Sequence, residues 1–366
     1  MNVGKQKIAL GCYTDEAHPN GLKMLELDEG SGAMSVVAER PVSNALYQAL
    51  SSDGKYLYSC TGEGLASFRA EGLEPVDSIS LGSCVCHVSA MPDGKRVAFA
   101  DYLGGFAGSV EVADGRFGKA VKHQHSGSGP NLPRQDKAHC HQAIPTPDGK
   151  GYCVIDLGLD QIVEYPSGRV FRTLPSGAGP RHLLFHPNGR LAFLVYELGN
   201  FVSSLSWSPA DGFKLLDTYS TVIDLSRKER KDHKGELFTN STRSTRSTRL
   251  NNLVNPVNPV KNNQAAAIRF TPDGRRVVVS NRGENSLAVF DFDESTGKLA
   301  FKSRTMLKGD WPRDFIFATD SLALVACERS GEVLGLNYEK DTGVFKTVAT
   351  LGGLYRPVSL LKGIAS

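Results

Sequence analysis

Features that commonly reveal a protein's location or partner are missing from this sequence. No stretch of about 18 apolar residues occurs, which excludes a transmembrane helix, and the polar residues 1–7 contain no apolar signal core. The 42 lysines and arginines nearly balance the 39 aspartates and glutamates, and the resulting net charge of +3 is no argument for nucleic-acid binding. We therefore expect a cytoplasmic protein with neither a nucleic-acid nor a membrane partner, either a monomer or a weak homo-oligomer.

Paired cysteines are missing too. The chain has seven cysteines, an odd number, and none of them forms a Cys-x-x-Cys pair. Several lie inside apolar runs, such as Tyr152-Cys153-Val154 and Val325-Ala326-Cys327. This pattern is typical of free, buried thiols in a reducing compartment.

Helix-period segments are absent, as are the G-x-S-x-G elbow, the P-loop and the G-x-G-x-x-G fingerprint. A turn of the form Pro-Asp-Gly-Lys/Arg recurs instead. Its copies are Ser52–Lys55, Pro92–Lys95, Pro147–Lys150, Pro187–Arg190 and Pro272–Arg275, with a degenerate copy at Thr319–Ser321. Asp or Asn before Gly tolerates the left-handed geometry that joins two antiparallel strands. The repeat therefore indicates a series of hairpins.

Short apolar strands flank each turn, for example Ala266–Phe270 before the turn at Pro272 and Val277–Ser280 after it. Two further strands follow, and four strands in a period of about 40–50 residues are typical of a β-propeller. Six turns mark six blades. Residues 7–36 and the tail Pro357–Leu361 supply a seventh, so that both chain ends close the ring. We predict an all-β fold, a seven-bladed β-propeller with four antiparallel strands per blade, as a single domain over residues 1–366.

One interval between turns is about twice the usual period. It contains a basic Ser-Thr-Arg repeat at residues 241–249 and a Pro/Asn-rich stretch at residues 255–260. Low complexity of this kind favours a long, largely disordered surface loop at about 226–263 over an additional blade. An anion-binding or phosphorylated arm is the functional alternative.

Strand geometry predicts which side chains surround one mouth of the central channel. The innermost strand before each turn and the strand after it are antiparallel, so the start of one lies beside the end of the other. The resulting pairs are His87 with Tyr102, His141 with Asp156, Arg181 with Glu197, Ala267 with Arg282, and Arg313 with Glu328. An arginine can donate two parallel hydrogen bonds to a carboxylate or phosphate, and histidine and glutamate can accept and release protons. A plain salt bridge is the alternative for Arg181 and Glu197.

His139 and His141 alternate on one strand, so both imidazoles could face one metal ion. Asp156 or His87 could add a third ligand, but no further His/Cys cluster has ligand spacing. Two ligands are too few for a metal assignment. We therefore expect neither a metal nor another cofactor.

Several motifs together resemble one known family. They are Gln124–Asn131, Arg134-Gln135, His139-Cys140-His141, Gly177–His182, Phe185–Gly189, Tyr196-Glu197-Leu198, Ser280–Gly283 and Trp311–Phe315. They are similar to motifs of the seven-bladed propeller lactonase family, which includes a bacterial-type 6-phosphogluconolactonase and the fungal 3-carboxy-cis,cis-muconate cyclase. The resemblance runs from about Ile8 to Leu361.

The resemblance implies catalytic roles for four residues, which are His141, Arg181, Glu197 and Arg282. We assign substrate binding to the remaining mouth residues and their neighbour, which are His87, Tyr102, His139, Asp156, Arg313 and Glu328. The implied activity is hydrolysis of a small anionic lactone, 6-phosphogluconolactone, with Glu197 or His141 as general base and Arg181 and Arg282 as anion ligands. Lactonisation of a carboxymuconate and a non-catalytic binding propeller are the alternatives. Where many relatives read Ala-Glu-Ile-His, this chain has Ala266-Ala267-Ile268-Arg269, so a mouth carboxylate and an imidazole are missing.

Overall fold

Seven four-stranded antiparallel sheets make up the regular structure of residues 4–222 and 262–364, the part of the chain that the computed structural model describes. In chain order the strands are β1 (Lys5–Cys12), β2 (Leu22–Asp28) and β3 (Met34–Arg40) of blade 7; β4 (Gln48–Leu50), β5 (Tyr56–Cys60), β6 (Gly64–Arg69) and β7 (Pro75–Ser80) of blade 1; β8 (His87–Ala90), β9 (Arg96–Asp101), β10 (Phe106–Ala113) and β11 (Arg116–Gln124) of blade 2; β12 (Cys140–Pro145), β13 (Tyr152–Asp156), β14 (Gln161–Tyr165) and β15 (Arg169–Arg172) of blade 3; β16 (Pro180–Phe185), β17 (Leu191–Tyr196), β18 (Phe201–Ser208) and β19 (Gly212–Ser220) of blade 4; β20 (Gln264–Phe270), β21 (Arg276–Arg282), β22 (Ser286–Phe292) and β23 (Leu299–Met306) of blade 5; β24 (Pro312–Phe317), β25 (Leu322–Cys327), β26 (Glu332–Glu339) and β27 (Val344–Leu351) of blade 6; and β28 (Pro357–Ile364), which returns to blade 7. Within these ranges, no helix is long and apolar enough to cross a membrane.

The repeated turn joins the first two strands of blades 1 to 6 as predicted. Its glycines adopt positive φ angles, 72° at Gly54 and 70° at Gly274 for example. The Asp273 carboxylate accepts hydrogen bonds from the Arg275 backbone N–H (3.1 Å) and the Thr271 hydroxyl (2.6 Å). The side chain therefore completes the turn that its own backbone begins.

Both chain ends contribute to blade 7, which confirms the predicted closure. The sheet order is β28-β1-β2-β3, and Gly11 on β1 pairs with Ser359 on β28. The innermost strands of neighbouring blades contact one another around the ring, including β28 with β4 and β24 with β28. The seven-bladed, all-β prediction is confirmed.

Apolar side chains fill the space between neighbouring blades. Phe193 of blade 4 is fully buried and packs against Phe270 and Phe292 of blade 5, with ring centroids 4.8 Å from Phe292. All seven cysteines are free thiols, as predicted, although Cys84 and Cys86 are only partly buried. The predicted loop at about 226–263 falls outside the described residues, apart from its last two positions.

Candidate functional site

β-Bulges at the start of the innermost strands aim the principal side chains of the site. The strand register shifts between Cys140 and Gln142 in blade 3, and equivalent shifts occur in blades 4 and 6. A bulge leaves one residue out of the ladder and redirects its side chain. The unpaired residues of the three bulges are His141, Arg181 and Arg313.

A cavity of about 760 Å³ opens at this end of the channel. Its wall is built from the ends of the inner strands and from the loops between them. Its lining residues are Tyr13, Asn44, Leu46, Cys84, Cys86, Tyr102, Leu103, Arg134, His141, Glu197, Gln264, Arg282, Trp311, Arg313, Glu328, Arg329 and Arg356. Five arginines against two glutamates give this wall a formal charge of +3, so the cavity attracts anions.

Glu197 is the centre of one charged cluster in the cavity. Its carboxylate Oε2 accepts a hydrogen bond from Arg181 Nε at 3.0 Å and forms an ion pair with Arg282 Nη2 at 2.8 Å. Its Oε1 accepts a hydrogen bond from Arg134 Nη2, and His141 Nε2 lies 3.9 Å from Oε2. Only 2% of Glu197 is exposed. We call these five residues the Glu197 cluster.

Charge controls ionisation in the Glu197 cluster. Burial alone would raise the pKa of Glu197, but the combined charges of Arg282, Arg134 and Arg181 hold its pKa well below the usual value. Burial, together with the nearby charge of Arg282, lowers the pKa of Arg181. Glu197 is therefore a firmly ionised carboxylate, with both oxygens already occupied by guanidinium donors.

A second cluster is centred on Glu328. Its Oε2 accepts from Arg313 Nη1 at 3.1 Å, and its Oε1 accepts from Arg356 Nη2 at 2.6 Å. Both guanidinium groups lie over the Tyr13 ring, at 5.3 Å and 4.2 Å from its centroid. Burial opposes ionisation of Glu328, yet the charges of Arg313 and Arg356 hold its pKa below the ordinary value. We call these four residues the Glu328 cluster.

Three imidazoles pack together in the channel beside the cavity. The His182 ring centroid lies 5.2 Å from that of His141 and 5.6 Å from that of His87. Burial, reinforced by nearby arginine charges, lowers the pKa of His87 to about 3 and the pKa values of His141 and His182 well below 6.5. Nδ1 of His141 and Nδ1 of His87 have no hydrogen-bond partner among the described residues. All three rings are therefore neutral at pH 7.

The buried imidazoles predict a loss of stability in mild acid. Below pH 6.5 the unfolded chain takes up protons on His87, His141 and His182 that the folded chain cannot bind. The free energy of unfolding therefore falls as pH drops, by up to ~1.4 kcal/mol per pH unit for each histidine. We expect urea unfolding to show a loss of roughly a few kcal/mol between pH 6.5 and 5. Asp314 partly offsets this loss, because burial raises its pKa. The variant His182→Gln should show a visibly shallower dependence, and equal slopes would contradict this prediction.

Most of the predicted site residues line the cavity, including Tyr102, Arg313 and Glu328 alongside His141, Glu197 and Arg282. Arg181 does not line it. Arg181 is 3% exposed and lies behind Glu197, and its Nη1 donates to the Ala266 carbonyl at 2.8 Å. The structure thus makes Arg181 a support for Glu197 and not a direct ligand of a molecule in the cavity.

Three predicted substrate-binding residues, His87, His139 and Asp156, do not line the cavity, although His87 and Asp156 were expected at the mouth. Asp156 is fully buried, and its oxygens accept hydrogen bonds from His125 Nδ1 (2.7 Å) and the His139 backbone N–H (2.9 Å). The His139 ring stacks on Tyr102, and its Nε2 forms a 2.8 Å hydrogen bond with Asp136 Oδ1. His139 therefore supports the Tyr102 ring.

His87 is misplaced by one residue because the sequence does not reveal the bulges. His87 pairs with Ala100, just as Gln142 pairs with Ile155 in the next blade. Cys86 therefore occupies in blade 2 the place that His141 occupies in blade 3, and Cys86 lines the cavity. His87 points deeper, where it stacks on Tyr47.

Comparison with known proteins places this architecture in a family. The family described as lactonase, 7-bladed beta-propeller, matches residues 7–359. The chain belongs to this lactonase family. A 6-phosphogluconolactonase of Bacillus subtilis (strain 168) is 30% identical over 360 residues, covering 91% of each chain.

Solved structures resemble this member of the lactonase family over nearly its whole length. A Lactobacillus plantarum protein superposes with a TM-score of 0.80 at 27% identity, covering 98% of this chain and 99% of that chain. A periplasmic gluconolactonase of Pseudomonas aeruginosa has a TM-score of 0.80 at 22% identity, with coverage of 98% and 99%. The second likeness shows the fold alone.

Ala267 and Arg269 are the positions where this member of the lactonase family differs from many relatives, and the structure shows what Arg269 contacts. Arg269 donates to Asp314 Oδ1 at 2.7 Å and to the Tyr47 hydroxyl at 3.0 Å. The guanidinium therefore ties the innermost strand of blade 5 to blades 6 and 1. Neither Ala267 nor Arg269 lines the cavity.

Sequence reasoning missed Arg134, Trp311 and Arg356 as cavity residues. Arg134 lies in the connection between blades 2 and 3, outside the four-strand repeat, so strand spacing does not locate it. Trp311 and Arg356 directly precede the innermost strands of blades 6 and 7. The one available signal for Trp311 was its place in the quoted motif Trp311–Phe315.

A buried cluster of His125, Cys140 and Asp156 was also missed. Their potential ligand atoms lie within 4.8 Å of one another. The direct hydrogen bond of 2.7 Å between His125 Nδ1 and Asp156 Oδ2 already satisfies both groups, and His125 Nε2 contacts the Tyr165 hydroxyl at 3.0 Å. This cluster braces blade 3 against the preceding loop.

Proposed function

We propose that the protein hydrolyses 6-phosphogluconolactone to 6-phosphogluconate. The observation that carries the proposal is the neutral imidazole of His141 at an anion-attracting cavity, beside a carboxylate that three arginines share, two of which also line the cavity. Membership of the lactonase family and the name of the Bacillus subtilis relative support the same substrate.

The proposed base is His141. A water on the lactone carbonyl must lose a proton as its oxygen bonds to carbon, and an imidazole that is neutral at pH 7 can accept that proton. Glu197 is less suited, because its oxygens accept hydrogen bonds from arginines and its pKa is strongly lowered. Its negative charge, 3.9 Å from His141 Nε2, stabilises the imidazolium that forms.

The proposed oxyanion ligands are Arg134 and Arg282, the two members of the Glu197 cluster that are arginines of the cavity wall. Bonds to Glu197 hold both guanidinium groups before substrate arrives, so they need little reorganisation as charge develops. When the tetrahedral intermediate collapses, the ring C–O bond breaks, and the His141 imidazolium returns its proton to the leaving alkoxide.

The test is a pH-stat assay on freshly prepared 6-phosphogluconolactone, with unphosphorylated gluconolactone and a carboxymuconate beside it. We expect hydrolysis of the phosphorylated lactone above the spontaneous rate, lowered about 10²–10³-fold in Arg282→Gln because an oxyanion ligand is lost. Arg275→Gln, at an exposed arginine in the turn at the other end of blade 5, is the matched control and should behave as wild type. Absence of lactone hydrolysis would overturn the proposal, and carboxymuconate lactonisation would replace it by the cyclase reaction.

A further inference from the structure

Arg329 differs from the other arginines of the cavity wall. Four of the five bond to a glutamate of the Glu197 or Glu328 cluster, and these four are Arg134, Arg282, Arg313 and Arg356. Arg329 is exposed at the rim, and no carboxylate among the described residues forms an ion pair with it. Its positive charge is therefore available to a ligand.

The Trp311 indole holds the Arg329 guanidinium in place. The guanidinium carbon lies 3.4 Å from the ring centroid, which is stacking distance. Trp311 itself is 8% exposed and has a φ of +66°, a left-handed conformation that is uncommon for a bulky residue. The Trp311 backbone N–H donates a hydrogen bond to Asn285 Oδ1 at 3.0 Å, and the Trp311 carbonyl accepts one from the Glu328 backbone N–H at 3.0 Å. The surrounding loops thus impose this position on the indole.

Stacking leaves the in-plane N–H donors of Arg329 pointing away from the ring. A guanidinium presents these donors as a planar fork that matches two oxygens of a phosphate or carboxylate. Arg282 of the Glu197 cluster lies 5.5 Å from the centroid of the same indole. One ligand can therefore place a polar carbonyl at the Glu197 cluster and an anionic group beside Trp311.

The chemistry of a lactone selects phosphate as that anionic group. An intact lactone carries no free carboxylate at the bond that will break, so its negative charge must come from another substituent. A phosphate ester carries a charge of about −1.5 to −2 at pH 7 and has three acceptor oxygens. The formal charge of +3 on the cavity wall favours such a group over a neutral hydroxyl.

We propose that Arg329, stacked on Trp311, is the subsite for the phosphate ester of the substrate and sets the preference for phosphorylated over unphosphorylated sugar lactones. This inference rests on the proposed function. Arg329 touches the far end of the substrate and takes no part in proton transfer. It is a specificity-determining residue.

The test compares the kcat/KM ratio of 6-phosphogluconolactone to gluconolactone in wild type and in Arg329→Gln. We expect this ratio to fall at least about tenfold, mainly through a higher KM for the phosphorylated lactone, because a charge-assisted bidentate contact is lost. Arg329→Lys keeps the charge without the planar fork and should give an intermediate ratio. Arg275→Gln controls for the loss of one positive charge and should leave the ratio unchanged.

Calorimetric titration with inorganic phosphate and with 6-phosphogluconate separates this inference from the proposed function. Weaker binding of both ligands to Arg329→Gln than to wild type supports the subsite even if neither lactone is hydrolysed. An unchanged kcat/KM ratio in an active enzyme, or unchanged binding of both ligands in an inactive one, would overturn the subsite. Circular dichroism of Arg329→Gln confirms that the exposed substitution leaves the fold intact.

Discussion

Replacement of Glu197 by glutamine is expected to remove nearly all lactone hydrolysis. Glutamine preserves the size of the side chain but cannot balance the charges of Arg134, Arg181 and Arg282. Those guanidinium groups then repel one another, and the proposed oxyanion ligands leave their positions. Since loss of one such donor costs about 10²–10³-fold, we expect kcat/KM to fall by at least about 10³-fold.

The same substitution should lower stability. Breaking a buried ion pair by removal of one partner costs about 3–5 kcal/mol, because an unpaired buried charge remains. Urea unfolding at pH 7 measures this loss, and Glu111→Gln, at an exposed glutamate of β10, is the control for glutamine substitution. A Glu197→Gln protein with wild-type activity and stability would contradict the role given to the Glu197 cluster.

A second variant distinguishes charge imbalance from general misfolding. Arg134→Gln in the Glu197→Gln background removes one of the uncompensated charges. We therefore expect the double variant to be more stable than Glu197→Gln alone, although Arg134→Gln alone is destabilising. Simple additivity of the two losses would show that the pair is not coupled.

Replacement of His141 by asparagine is the second substitution with a large expected effect. Asparagine is polar and can hydrogen-bond, but it cannot accept the proton of the attacking water. General base catalysis contributes about 10²–10⁴-fold, so we expect a fall of that size in kcat with the fold retained. His123→Asn, on the outer strand β11, is the control and should keep full activity. Activity of His141→Asn within threefold of wild type would exclude His141 as the base.

The pH profile provides an independent measurement of the same assignment. A base must be neutral to act, and burial and Arg181 hold the pKa of His141 well below 6.5. The wild-type kcat, measured at saturating substrate, should therefore stay level as pH falls through 6.5 and decline only in more acidic solution. An inflection at 6.5 would indicate an exposed imidazole as the base.

The sequence predicted the ring because its signal is local and repeated. Each Asp-Gly turn specifies one hairpin, and the apolar strands beside Pro357 and Ile8 leave one pairing that closes the last sheet. Counting residues from the turn placed Arg313 and Glu328 correctly, and both line the cavity. Counting failed at His87, because hydrogen-bond register determines which side chain faces the channel.

Residues outside the repeat could not be located from spacing. Arg134 reaches Glu197 from an inter-blade connection, and Arg356 reaches Glu328 from the residue before β28. Their positions depend on how loops of different length fold over the mouth. The charge balance of the site, on which the proposal of His141 over Glu197 as base depends, therefore became visible only in three dimensions.

Closure of the ring by β28 also has a consequence for synthesis of the protein. Residues 357–364 are synthesised after the other 27 strands of the seven described sheets, yet they pair with residues 7–12. Arg356 and Tyr13, which flank that pairing, both belong to the Glu328 cluster. A nascent chain therefore carries an incomplete cavity until this last pairing forms, and contacts so distant in sequence form slowly. The cavity is thus complete only once β28 has been made and has paired with β1.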